Sequence, residues 1–112
     1  MRLVTFTHSG STRLGVLNGE SITDLSRAAP ELPTEMNAFL RAGDSAMETA
    51  RATTGDDLAL KEVELHSPVP HPGKVLAVAL NYRDHLEEVQ AAMPDFPTPK
   101  TPMLFTKQNS SV

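Results

Sequence analysis

From Arg2 to His8 apolar and polar side chains alternate, with Val4 and Phe6 on one face and Leu3, Thr5 and Thr7 on the other. The β-branched and aromatic residues of this stretch predict a strand. His8–Thr12 is polar and reads as a loop, and Arg13–Leu17 as a second short strand. Asn18-Gly19 is a dipeptide that tolerates positive φ and predicts a tight turn into a third strand, Glu20–Thr23. The three strands form a β-meander. Asp24 is placed to cap a short helix, Leu25–Ala29, which Pro30 stops. Thr34 is the expected cap of a second helix whose apolar stripe is Met36, Phe39 and Leu40, and Gly43 closes it. Ser45 and Glu48 have capping-box spacing for a third helix burying Met47 and Ala50. Gly55–Asp57 then makes a loop, and Lys61–His66 alternates as a strand with Val63 and Leu65 on one face.

The pattern changes after Ser67. Pro68, Pro70 and Pro72 cannot donate ladder hydrogen bonds, so 68–73 is an extended connector. The domain division predicted there is a small N-terminal α+β domain, 1–67, and the beginning of a second domain, 68–112. Val75–Leu80 (VLAVAL) is uninterrupted apolar, the signature of a strand covered on both faces. Asn81 is the expected N-cap of a helix with Asp84 in the capping-box position, ended by Pro94. On that helix Tyr82, Leu86, Val89 and Met93 project as one stripe expected to pack inward. His85 and Glu88 share one flank of the stripe, and Arg83, Glu87 and Gln90 the other. A loop with Pro94, Pro97, Pro99 and Pro102 leads into a strand, Met103–Thr106, with Lys107 at its exit before Gln108, Asn109, Ser110 and Ser111. A fully covered strand needs neighbours on both sides and only one further strand candidate follows, so the second domain is expected to be incomplete. The fold class is α+β.

Composition narrows the partners. Residues 1–60 hold five basic and eight acidic side chains and residues 61–112 five and six, so no segment is basic enough to point to nucleic acid. No apolar run approaches the roughly 20 residues of a membrane span, and the N-terminus lacks a signal-peptide core. Cysteine is absent, which removes disulfides and thiolate chemistry and fits a reducing compartment. A cytoplasmic protein is the expectation.

His85 and Glu88, three apart on a predicted helix, are close enough for their side chains to meet. A carboxylate on one imidazole nitrogen fixes the tautomer and raises the basicity of the other, as a general base for water requires. By spacing alone a boundary histidine beside a solvated carboxylate is the more economical reading. Asn81 and Tyr82 likewise read as a cap and a core aromatic, and Lys107 as a solvated strand-end cation or a holder of an anionic oxygen. His8, His66 and His71 lack metal-ligand spacing. The acids after residue 80 do not converge as a hard cation requires.

The segment Pro72–Glu88 (PGKVLAVALNYRDHLEE), followed by a proline-containing loop and Pro102–Gln108 (PMLFTKQ), resembles the start of the catalytic domain of the fumarylacetoacetate hydrolase family. RLVTFTHSGSTRLGVLNG followed by ITDL resembles the small β-rich domain that precedes it in bacterial members. The resemblance implies a mixed β-sheet catalytic domain of which this chain holds only the first strand-helix-strand. It implies a Mg²⁺- or Mn²⁺-dependent enzyme, usually a homodimer, acting on β-diketo or 2-oxo acids by carbon-carbon bond hydrolysis, decarboxylation or isomerisation in aromatic catabolism. It makes His85 and Glu88 the water-activating pair on a lid helix and Lys107, Asn81 and Tyr82 substrate-side residues. The family's metal ligands, two glutamates and a later aspartate, lie beyond the Phe-x-Lys strand, so the chain alone is expected to be inactive. The rival expectation is a free-standing, non-catalytic domain that pairs through an exposed sheet edge.

Overall fold

The computed structural model describes residues 1–108, and the chain clusters into two compact units, one of Met1–His71 and one beginning at Pro72. Asn109, Ser110 and Ser111, the amide and hydroxyls expected after Lys107, lie outside the described residues. No helix among the described residues is long and apolar enough to cross a membrane.

The first unit is built on β1 (Leu3–His8), β2 (Ser11–Asn18) and β3 (Ser21–Asp24), an antiparallel meander. Its first hairpin is tighter than the sequence indicates and its second is shifted by one residue. Ser9 and Gly10 both take positive φ between the paired residues His8 and Ser11, so the strands extend into the expected polar loop. In the second hairpin the turn residues are Gly19-Glu20 rather than Asn18-Gly19, with positive φ at Gly19 alone, as in a type II′ turn.

Two short strands widen the meander. β4 (Asp57–Ala59) pairs with β3 and β5 (Glu64–Leu65) with β1, giving the order β4-β3-β2-β1-β5. The expected strand at Lys61–His66 is therefore only two residues long, and Leu60–Glu62 forms a 3₁₀ turn. That turn dictates the shape of the sheet. Five flat strands would hold their edges about 19 Å apart. The four residues between β4 and β5 reach at most about 18 Å when extended, and about 13 Å with a 3₁₀ turn in them. The sheet must curl until its edges approach. The Leu60 N–H donates to the Glu20 carbonyl at 2.8 Å, one step beyond the Ser21–Ala59 pair, and so anchors the start of the 3₁₀ turn to the β3 side.

Curling leaves a concave face filled by Phe6 and Ile22, both fully buried, and by the backbone of Gly15. The Arg13 guanidinium lies 5.0 Å from the Phe6 ring centroid and donates to Asp24 through Nε (2.8 Å) and Nη2 (2.7 Å). Asp24, fully buried, also caps α1 (Leu25–Ala28) by accepting from the Ser26 N–H, as its position predicts. A buried carboxylate persists here because every partner it needs is supplied locally.

The convex face carries Leu14 and Val16, which pack with Leu25, Leu32, Met36, Phe39, Ala46 and Ala50 into the core. Burying each of the larger side chains contributes about 1.5–3 kcal/mol. α2 (Met36–Arg41) buries Met36 and Phe39, but Leu40 is exposed, and Glu35 rather than Thr34 caps it. The longer Glu35 side chain reaches two orphan N–H groups, Oε1 accepting from Asn37 and Oε2 from Ala38, each at 3.0 Å. These two bonds, the Asn37 one foremost, hold the Glu35 carboxyl below the ordinary value of 4.5.

α3 (Gly43–Ala52) follows α2 with only Ala42 between them, through Gly43 at φ +72°. With no loop between the helices Ser45 falls inside α3 and cannot cap it. Ala46 and Ala50 are its buried residues, with Met47 at the margin of the core.

The proline connector is fastened to this unit as far as His71. The Thr5 hydroxyl donates to the Pro68 carbonyl (2.8 Å), the His66 N–H donates to the Thr5 carbonyl (3.0 Å), and Asn37 Nδ2 donates to the His71 carbonyl (2.6 Å). The second unit has three elements: β6 (Val75–Ala79), α4 (Arg83–Ala92) and β7 (Met103–Lys107), with β6 and β7 antiparallel.

Candidate active site

The second unit gathers the residues singled out in the sequence, but not as one cluster. Pairing in β6 and β7 sets Ala79 opposite Met103 and Val75 opposite Lys107. β6 then ends abruptly. Leu80 takes φ +52°, a conformation bulky residues seldom adopt, and turns the chain before Asn81. Asn81 is consequently outside the helix, and the capping box with Asp84 does not form. Tyr82 occupies the N-cap position and makes no side-chain capping bond.

α4 brings one expected pair together. His85 Nδ1 lies 3.4 Å from Glu88 Oε2, the i, i+3 neighbour one turn on. Both side chains are exposed, at 58% and 77%, so as an ion pair they contribute little stability. Their chemistry is a different matter. A carboxylate at Nδ1 favours the tautomer that leaves Nε2 as the free acceptor, the form that takes a proton from water.

Several expectations for this unit are corrected. Tyr82 does not pack inward but is 75% exposed, and Met93 is exposed as well; Leu86 and Val89 are only half-buried. β6 is not covered on both faces. Leu76 and Val78 share a face with Leu104, and all three are exposed. The physical reason is the same in each case: apolar side chains are buried only where another layer meets them, and among the described residues none lies over these positions.

Asn81 lines a cavity of about 270 Å³ together with Leu80 and Leu86 on one side and Thr98, Lys100 and Met103 on the other. Lys107 is not brought to it. It stands at the Val75 end of the ladder, about 13 Å along the strand from the Ala79–Met103 end at strand spacing. Lys100 and Thr98 are residues of this region that no sequence pattern singles out, and Gln90 is marked there only as a member of the second flank of the helix. Gln90 Nε2 donates to the Phe96 carbonyl (3.1 Å) and to Thr98 Oγ1 (3.3 Å), and no periodicity or spacing announces such a bond between a helix and an irregular loop.

A hard cation would need converging carboxylates. Among the described residues no three His, Cys, Asp or Glu side chains stand close enough to hold a metal ion. The described side chains do not fit a metal centre.

A family profile described as Rv2993c-like, N-terminal, matches residues 1–68. Over its whole length the chain is 35% identical to a protein of Pongo abelii named fumarylacetoacetate hydrolase domain-containing protein 2. The chain belongs to the fumarylacetoacetate hydrolase family, with an Rv2993c-like N-terminal domain. It is also 35% identical over its full length to the Xenopus laevis mitochondrial oxaloacetate tautomerase fahd2. In both cases it spans 36% of the relative's own length. Among solved structures it resembles an HpcE-type protein from Mycobacterium smegmatis, with a TM-score of 0.74 and 28% identity, covering 96% of this chain and 36% of that one. The α+β fold expected from the sequence is the fold of the N-terminal part of such enzymes.

Proposed function

We propose that this chain supplies the N-terminal domain and the lid helix of an enzyme acting on 2-oxo or β-diketo acids, with α4 as the lid. The observation that carries the proposal is the His85–Glu88 contact on a solvent-facing helix, in a chain of this family. In this reading Glu88 orients the His85 ring and His85 Nε2 takes the proton of an attacking water or of an acidic carbon next to a carbonyl. Asn81, beside the cavity, contributes an amide to the bound acid, and Tyr82, at the start of the same helix, closes over it. Lys107, at the other end of the ladder, is kept in this reading as a cation for an anionic substrate oxygen, on the resemblance of the Phe-x-Lys strand to the family's.

Magnesium or manganese belongs to the proposal as a Lewis acid held by residues other than those described here. A homodimer and a cytoplasmic location complete it, although the Xenopus relative is named as mitochondrial. The division into an N-terminal domain, 1–67, and the start of a catalytic domain, 68–112, is likewise proposed, as is inactivity of the chain by itself. Boundaries between compact units support a division near it.

The test is turnover. The intact enzyme, supplied with Mg²⁺ or Mn²⁺, is expected to convert at least one of oxaloacetate, acylpyruvates and maleylpyruvate-type diketo acids, and the 112-residue chain none of them. Failure of the intact enzyme on every one would overturn the proposal. A second reading, a non-catalytic module that self-associates, is favoured by the exposed apolar face of Leu76, Val78 and Leu104. In that case the chain would sediment as a defined oligomer and the intact protein would turn nothing over.

A further inference from the structure

The cavity beside Asn81 has two walls of different origin. One is the end of β6 and the first turns of α4, contributing Leu80, Asn81 and Leu86; the other is the proline-containing loop, contributing Thr98, Lys100 and Met103. The ladder between β6 and β7 fixes only the Met103 end of that loop. Its other end leaves α4 through a backbone turn in which the Phe96 N–H donates to the Met93 carbonyl at 2.9 Å. Between these anchors the loop has no regular structure and three prolines, Pro97, Pro99 and Pro102, which remove backbone donors that would otherwise tie it down.

One side chain spans the gap. Gln90, half-buried on α4, donates from a single Nε2 atom to the Phe96 carbonyl and to the hydroxyl of Thr98. Its amide carries two protons, one for each acceptor. Among the described residues no other side chain of α4 donates to this loop. Thr98 is at once a partner of Gln90 and a lining residue of the cavity. The helix that holds His85 and Glu88 is thus the helix that holds the opposite wall.

We propose that Gln90 is a positioning residue, holding Phe96 and Thr98 against α4 and so setting the width of the cavity in which the acid is bound. The inference rests on the reading of α4 as a lid over an oxo-acid site. It assigns Gln90 no contact with the substrate; its action runs through Thr98. A lid helix and a loop tied in this way move as one body, so the spacing between α4 and the loop wall is kept when the helix moves.

Two measurements test it. Hydrogen exchange on the chain reads the tether without any activity: in Gln90→Ala the amides of Phe96, Thr98, Lys100 and Thr101, Phe96 above all because its N–H is bonded to the Met93 carbonyl, are expected to exchange several-fold faster, while those of β6 are unchanged. Kinetics on the intact enzyme with oxaloacetate read the consequence. Loss of the two hydrogen bonds is expected to raise KM about 3- to 10-fold, with kcat within about 2-fold and its pH profile unmoved. Thr98→Val, which removes one acceptor, should raise KM less, and the double variant should be no worse than Gln90→Ala. Unchanged exchange at Phe96, Thr98, Lys100 and Thr101 would remove the tether, and unchanged KM its role in binding. A fall in kcat with a displaced pH profile would place the effect at the His85–Glu88 pair and overturn the assignment. An intact enzyme inactive on every oxo acid would instead sink the functional reading, with the tether still decided by exchange.

Discussion

Gly15 shows how much of this fold is decided by single residues. A Cβ at that position would stand 2.4 Å from Ile22 Cγ2, 2.9 Å from the Phe6 ring and 2.9 Å from the Thr23 carbonyl oxygen. The neighbours are two fully buried side chains and a strand backbone, none of which can withdraw. Gly15→Ala is therefore expected to destabilise the protein by at least the roughly 1–3 kcal/mol typical of overpacking, read as a lower urea midpoint with an unchanged m-value. A midpoint equal to that of the parent protein would show that the concave face is looser than described. The sequence marks β2 as a strand but gives no reason for a glycine in its middle. That reason is non-local: Phe6 and Ile22 come from the flanking strands. Asp24 was legible because capping is local chemistry, whereas its second partner, Arg13, eleven residues away, was not.

At the scale of elements, the helices were legible in kind and less so at their ends. Met36 and Phe39 mark the buried face of α2, and Leu40 fails to join them because no neighbour reaches its side. Thr34 is the cap expected by residue type, and Glu35 takes the position instead because its longer side chain reaches two N–H groups. That choice has a pH signature. Glu35 has a depressed folded-state pKa, so its contribution is fully present above the unfolded carboxylate value of 4.5 and is lost as pH falls through the lower folded value. Glu35→Ala should accordingly lower the melting temperature at pH 7, and the difference from the parent protein should shrink steadily below pH 4.5. A difference independent of pH across that range would mean that the side chain acts by packing and not by accepting the Asn37 and Ala38 N–H groups. In the second unit the elements β6, α4 and β7 were all legible, from an apolar run, an amphipathic stripe and two proline stretches. Their burial was not, because an apolar pattern reports what a strand can pack against, not whether a partner is present.

The whole molecule joins a small closed α+β unit, whose curled sheet completes its own core, to a unit whose apolar residues outnumber the surfaces available to cover them. The first can be understood from its own side chains. In the second, Leu76, Val78, Leu104 and Phe105 remain in solvent, and the side chains with chemistry to offer stand at separate ends of a two-stranded ladder. Spacing placed His85 and Glu88 on one helical flank, and the structure sets them 3.4 Å apart. The proposed catalytic role of that contact rests on membership of the family, and the chain spans 36% of the curated relatives it matches. The proposed role of α4 as a lid with a base depends on His85. In the intact enzyme His85→Ala is predicted to lower kcat on its best oxo acid by about 10²–10⁴-fold, the usual contribution of a general base, while leaving metal affinity within about 2-fold. A kcat unchanged by the substitution would contradict it.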